Sequence, residues 1–246
     1  MPTYRIDIAY DGTAFRGYAG NAGVRTVQGE LEAAIAIATG SGPDTEVAGR
    51  TDAGVHARHN VVRLVLADPV DPARLQRGIN AMLGPEVVAT ALVEVREGFS
   101  ARFDAVARRY RYCIDNGLVP DPMRRWWAWH VPHPLDLAAM NEAAAAFCGE
   151  HDFASLCRRA PGRSTVRRVD EARWRRELDG EVVFDVEASS FCHQMVRSMV
   201  ALCCDVGRGR VEPGRVPEIL QARDRAAARG TAPPHGLTLW EVRYPE

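Results

Sequence analysis

The segment Thr45-Glu46-Val47-Ala48-Gly49-Arg50-Thr51-Asp52-Ala53-Gly54-Val55-His56-Ala57, followed closely by Asn60-Val61-Val62-Arg63-Leu64-Val65-Leu66, reads as two strands joined by a loop that two glycines bracket. The first strand ends near Ala48, the loop runs from Gly49 to Ala57, and the second strand spans Asn60 to Leu66. Glycines at both ends let a backbone turn sharply and approach a ligand, so an Arg-Thr-Asp turn between them can hold a carboxylate on a tightly packed loop. Spacing alone leaves two readings: a site built on Asp52 and Arg50, or a surface turn in which Asp52 makes an Asx-type hydrogen bond.

Outward from that loop the chain alternates strands and helices. Thr3 to Asp11 places Tyr4, Ile6, Ile8 and Tyr10 on one face and Arg5, Asp7 and Asp11 on the other, the period of a half-buried strand. Thr26 caps a helix predicted over Val27 to Ala38, with Leu31, Ala34, Ile35 and Ala38 on one stripe. A helix near Pro72 to Met82 and a strand at Glu86 to Val95 complete a first α+β domain. Beyond it come strands at Val106 to Asp115 and Trp127 to His130 and a helix at Leu135 to Cys148. A strand pair follows, Val166 to Glu177 and Glu181 to Ala188, turned at Asp179-Gly180. Phe191 to Val206 reads as a buried helix, Val216 to Ala228 as a weaker one, and Leu237 to Tyr244 as a closing strand. The expected division is residues 1–103, carrying the Asp52 loop, and residues 104–246, carrying the Tyr110 strand and the Arg197 helix.

The 246 residues are 46% hydrophobic and 26% charged, which excludes a disordered or collagen-like chain. All 31 cations are Arg against 32 acids, a net charge of -1 that by itself argues for no polyanionic partner. Its distribution changes that impression: residues 101–176 hold 14 Arg and 9 acids, while both flanks are acidic. Arg102, Arg108, Arg109 and Arg111 form one cluster, and Arg158, Arg159, Arg163, Arg167, Arg168, Arg173, Arg175 and Arg176 another. With Tyr110, Tyr112 and Trp174 interleaved they read either as phosphate contacts with stacking platforms or as solvated strands paired to acidic neighbours. The six cysteines form no C-x-x-C pair, no span of about 18 apolar residues exists, and Met1-Pro2-Thr3-Tyr4-Arg5 lacks a charged region followed by an apolar run. A cytoplasmic chain with reduced thiols and no membrane contact is the expectation.

Arg197 lies in Phe191-Cys192-His193-Gln194-Met195-Val196-Arg197-Ser198-Met199-Val200, surroundings too apolar for an unpaired guanidinium. With no acid in that helix before Asp205, a carboxylate from elsewhere is required, and Asp52 is a candidate; the alternative is an Arg snorkelling to solvent. An Asp so paired stays ionised at neutral pH, as a nucleophile must. Tyr110 and Tyr112 share a strand face with Arg108, which suits an unstacked base or, equally, two core tyrosines. His56 is read as touching substrate or, at least as readily, as loop support, with no acid-base role assigned, the Trp126 to Trp129 run as core or interface, and Cys203-Cys204 as packing.

Gly49-Arg50-Thr51-Asp52-Ala53-Gly54-Val55-His56 resembles the signature of the TruA family of tRNA pseudouridine synthases. The likeness continues through Tyr10-Asp11-Gly12-Thr13, Ala101-Arg102-Phe103, Arg108-Arg109-Tyr110-Arg111-Tyr112, Gly149-Glu150-His151-Asp152-Phe153, His193-Gln194-Met195-Val196-Arg197 and Gly236-Leu237, in the family's order. The resemblance implies two ferredoxin-like α+β domains sharing a continuous, mainly antiparallel sheet. It implies isomerisation of uridine to pseudouridine at tRNA positions 38 to 40, a homodimer, and no cofactor or metal. By the same resemblance Asp52 is the nucleophile, Arg197 pairs with it, Tyr110 stacks on the target base, Arg50 helps displace the nucleotide, and Leu237 packs in the pocket. The chain departs from the family at Tyr18-Ala19-Gly20-Asn21, where Trp-Gln-Arg-Gln is usual, at Ser155-Leu156-Cys157, and around Arg163 to Arg168. The same residues also allow two other classes, a non-catalytic RNA-binding protein of the same fold and a glycosidase, the latter disfavoured because the Asp52 loop holds no second acid. Zinc deaminase chemistry lacks its H-x-E and P-C-x-x-C elements.

Overall fold

In the computed structural model, which describes residues 1–158 and 162–245, the chain order is β1 (Thr3–Tyr10), α1 (Val27–Thr39), β2 (Asp44–Val47), β3 (His56–Val65), α2 (Pro72–Leu83), β4 (Val87–Val95), β5 (Ala107–Asp115) and β6 (Trp129–His130). It continues with α3 (Leu137–Ala145), β7 (Gly149–Asp152), β8 (Val166–Arg176), β9 (Val182–Ala188), α4 (Met195–Gly207), α5 (Val216–Gln221) and β10 (Leu237–Arg243). The mixed α+β class is the one expected.

Local chemistry sets the element ends. Thr26 accepts a hydrogen bond from Gly29 N and starts α1, and Gly40 ends it in the left-handed region. Asp71 and Asp136 cap α2 and α3 in the same way, so α3 begins at Leu137 rather than at Leu135. The helix expected from Phe191 begins only at Met195, because Gln194 takes a left-handed φ of 65° before it. The helix expected to reach Ala228 stops at Gln221, ended by Arg223 at φ 48°. β7 has no apolar alternation to announce it; its register against β8, Gly149↔Val169 to Asp152↔Val166, makes it a strand.

The chain divides into two compact units, Met1–Arg108 with Thr238–Glu246, and Arg109–Leu237. In the first, β1 lies antiparallel between β4 and β3. The far edge of β3 is shared: β2 pairs antiparallel with Val62 to Val65, and Thr238 and Leu239 of β10 pair parallel with His56 and Ala57. Helix α2 packs on β4 and on α1. Ile6, Ile8, Leu31, Ile35, Val61 and Leu64 are fully buried there, and burying each such side chain contributes about 1.5–3 kcal/mol. In the second unit the strand order is β5-β9-β8-β7, with β6 alongside β5, and α3 packs on β8 and α4. Its core includes Phe147, Phe153, Trp174, Phe184 and Met199. No described helix is long and apolar enough to cross a membrane.

Candidate active site

Asp52 sits on the connection from β2 to β3, and that connection is clamped on both sides by main chain. Ala48 N donates to Val61 O at 2.9 Å and Val55 N to Asp52 O at 3.1 Å. The segment from Gly12 to Tyr18 lies against the loop: Tyr18 N donates to Thr51 O at 3.0 Å and Gly54 N to Phe15 O at 3.3 Å. Each such bond contributes about 1 kcal/mol net, but losing its partner in a buried place costs about 1–3 kcal/mol, so the pairing resists local opening. Two glycines make the approach feasible. A Cβ on Gly12 would lie 2.0 Å from Val55 O, and Gly54 takes a φ of 76° that disfavours any side chain. Asp52 is half-buried and Arg50 is exposed.

His56, 2% exposed, braces the same region. Its Nδ1 lies 3.0 Å from Gly12 N and 3.1 Å from Asp11 Oδ1. One ring nitrogen cannot both accept from the amide and donate to the carboxylate, and Asp11 Oδ1 already accepts from Thr13 N and Thr13 Oγ1. We therefore assign Nδ1 as the acceptor for Gly12 N, which fits the supporting role expected for His56. Arg108 does not reach for phosphate: it is buried, and its guanidinium donates to Ala105 O, Ala48 O and Arg102 O at 3.0, 3.1 and 2.5 Å. It thereby ties down the carbonyl at the entrance of the Asp52 loop.

In the second unit, β5 alternates as predicted, with Tyr110, Tyr112 and Ile114 buried and Arg109 and Arg111 on the other face. Tyr110 packs edge-on against Phe191, ring centroids 5.1 Å apart. Tyr112 is fully buried and donates its hydroxyl to Pro233 O at 2.9 Å, and Trp174 is stacked on Phe184 in the core. Neither is a platform for a base: Tyr112 is 0% and Trp174 2% exposed, so neither ring is open to a nucleobase. Arg197 is half-buried on α4; its Nε donates to Ala232 O at 2.7 Å and its carbonyl accepts from Ala232 N at 3.0 Å. Leu237, the first residue of β10, is buried. Asp52 and Arg50 thus belong to the first unit, and Tyr110, Arg197 and Leu237 to the second.

The arginine clusters resolve into two kinds. Arg109 pairs with Glu187 at 3.2 Å, Arg111 with Asp185 at 3.0 Å, and Arg175 with both Asp185 and Glu177. The acids of β9, Asp185 and Glu187, thus neutralise Arg109 and Arg111 on β5 and Arg175 on β8. Arg158, Arg163, Arg168, Arg173 and Arg176 remain exposed, Arg168 beside Asp170; Arg159 lies outside the described residues. Among the described residues no three His, Cys, Asp or Glu side chains gather as a metal site.

Sequence reasoning passed over three residues behind the loop. Tyr10 and Asn60 are buried polar groups whose side chains hydrogen-bond to Thr51 and Gly49. Tyr18 is 1% exposed, and its hydroxyl has no hydrogen-bond partner among the described residues. Burial pushes the Tyr10 phenol up to about 12 and that of Tyr18 well above its usual value, so neither ionises at neutral pH. The available signal was Asn60 itself, an amide at the head of the run Val61-Val62.

Known proteins point the same way as the loop. A family model described as tRNA pseudouridine synthase matches residues 143–245. A tRNA pseudouridine synthase A of Leifsonia xyli subsp. xyli is 40% identical over 98% of this chain and 91% of its own length. One of Frankia casuarinae is 44% identical over 98% and 89%, and one of Brevibacillus brevis 40% identical over 99% and 100%. At such identity, sustained along nearly the whole of both sequences, the chain belongs to the tRNA pseudouridine synthase family, whose members are isomerases.

Proposed function

We propose that the chain isomerises uridine to pseudouridine at positions 38, 39 and 40 of the tRNA anticodon stem-loop, with Asp52 as nucleophile. The observation that supports this best is the held loop: a half-buried carboxylate on a segment pinned by Phe15, Tyr18 and Val61 backbone. A carboxylate held in place does not spend its reactivity on reorganisation.

The reaction moves no atoms in or out. The N1–C1′ bond breaks, the detached base turns, a C5–C1′ bond forms, C5 loses its proton and N1 gains one. The chain must therefore supply one carboxylate, a surface that retains the loose base, and a way of taking the nucleotide out of its stack, which costs a few kcal/mol. Asp52 provides the carboxylate, and Arg197 is its guanidinium partner. Tyr110, set at its angle by Phe191, stacks on the base. Arg50, exposed beside Asp52 in sequence, occupies the space of the displaced nucleotide, and Leu237 closes the pocket against water. The exposed arginines of β8 and its flanks grip phosphate. The enzyme works as a homodimer in the cytoplasm and needs no cofactor.

The test is incubation of the purified protein, without added metal, with tRNA transcripts carrying uridine at 38, 39 and 40, followed by position-resolved pseudouridine mapping. Product at those positions is expected. Product confined to other positions would keep the chemistry and overturn the target, and no product anywhere would overturn the reading.

A further inference from the structure

β3 carries a polar side chain, Asn60, on its buried face beneath the Asp52 loop, next to an irregularity in its pairing with β1. Along β1 the partners on the buried face are Tyr4↔Leu64, Ile6↔Val62 and Ile8↔Asn60, but Tyr10 pairs with Ala57 rather than with residue 58. One extra residue in β3 therefore puts Asn60 and Ala57, three apart, on the same face; without it, strict alternation would send one of them to the other side. Asn60 is 0% exposed, a costly place for an amide unless every bond is made. Its Oδ1 accepts from Val61 N at 2.9 Å, and its Nδ2 donates to Gly49 O at 2.8 Å and to the Tyr10 hydroxyl at 3.3 Å. The Tyr10 hydroxyl lies 2.8 Å from Thr51 Oγ1.

We infer that Asn60 and Tyr10, through Gly49 O and the Thr51 hydroxyl, are positioning residues that set the placement of the Asp52 carboxylate. The two contacts fall on either side of Arg50 and end one residue before Asp52. Two fixed points so close in sequence leave the intervening backbone little freedom, and they are anchored in the strand core rather than in another loop. Each polar group sits in a site where an apolar residue would pack more simply, and each makes one direct hydrogen bond to the loop, Asn60 to Gly49 O and Tyr10 to the Thr51 hydroxyl. The inference rests on Asp52 being the nucleophile.

The test compares Tyr10→Phe, Thr51→Val, Thr51→Ser and Asp52→Ala, reading single-turnover pseudouridine formation and tRNA affinity separately. Tyr10→Phe and Thr51→Val keep the shape and remove one hydroxyl. Both should slow turnover about 10- to 100-fold, the scale of a misplacement near 1 Å, with tRNA affinity changed less than about threefold. Thr51→Ser, which restores the hydroxyl without the methyl, should recover most of the turnover lost in Thr51→Val; a merely structural role for the methyl predicts the reverse order. If Asp52→Ala is inactive while Tyr10→Phe and Thr51→Val fold and turn over within twofold of the parent, the positioning role is overturned and the nucleophile stands. Turnover by Asp52→Ala would overturn both. Loss confined to tRNA affinity would also overturn the inference, placing these groups in binding instead.

Discussion

In the first unit the Asp52 loop is held mainly by neutral groups, main-chain amides at Thr51 O and Phe15 O and a buried amide on Gly49 O, with the Arg108 guanidinium on Ala48 O the charged donor at its entrance. In the second unit Arg109 and Arg111 of β5 and Arg175 of β8 are held by charge, with Asp185, Glu187 and Glu177 as their partners. Buried neutral hydrogen bonds are insensitive to salt and to pH near neutrality. Partly exposed ion pairs weaken as salt rises. The contrast suits the proposed division of labour: a carboxylate whose place must not change with ionic conditions, and a basic surface whose grip on a polyanion is salt-dependent in any case.

Gly12→Ala attacks the neutral side hardest. Its methyl would lie 2.0 Å from Val55 O, so it should destabilise the protein by about 2–4 kcal/mol, equally in low and high salt, in urea unfolding curves. A salt-dependent loss would break the contrast. Asp185→Asn attacks the charged side: it weakens the partners of both Arg111 and Arg175 and should cost about 1–3 kcal/mol at low ionic strength, less at high salt. An undiminished loss at 1 M salt would show that the pairs act as buried ones.

A third probe is chemical. The hydrogen bond from Cys157 lowers the Cys192 thiol, whereas burial raises Cys113 and Cys203 to about 12. Because the thiolate is the reactive form, alkylation at about pH 7 to 8 should mark Cys192 ahead of Cys113 and Cys203, as peptide mass mapping would record. Labelling of Cys113 or Cys203 first would overturn this ordering. The smallest effect is expected for Tyr18→Phe, which deletes a buried hydroxyl with no partner among the described residues and should leave stability within about 1 kcal/mol of the parent or raise it. A larger loss would mean that this hydroxyl bonds to something outside them.

Much was legible locally. The alternation of β1 and β5, the caps at Thr26 and Asp71, and the Gly49 to His56 motif all depend on residues within one turn or one strand of each other. The alternation of β5 gives its buried face, but not whether Tyr112 is a core residue or a base platform; that is decided by contacts far along the chain, its hydrogen bond to Pro233 O among them. The helix expected to start at Phe191 failed for a local reason that no propensity announces, the left-handed Gln194.

By itself, then, the sequence determined the α+β alternation, the carboxylate loop and the family to which the chain belongs, since periodicity, capping and a contiguous motif are properties of neighbouring residues. Tertiary structure alone decided which arginines are neutralised, that Trp174 and Arg108 are buried, that Thr238 and Leu239 pair parallel to the start of β3, and that one extra residue in β3 sets Ala57 rather than Arg58 opposite Tyr10. Each of these follows from the register of strands distant in sequence, and a shift of one residue in register exchanges the two faces of a strand while leaving its composition unchanged.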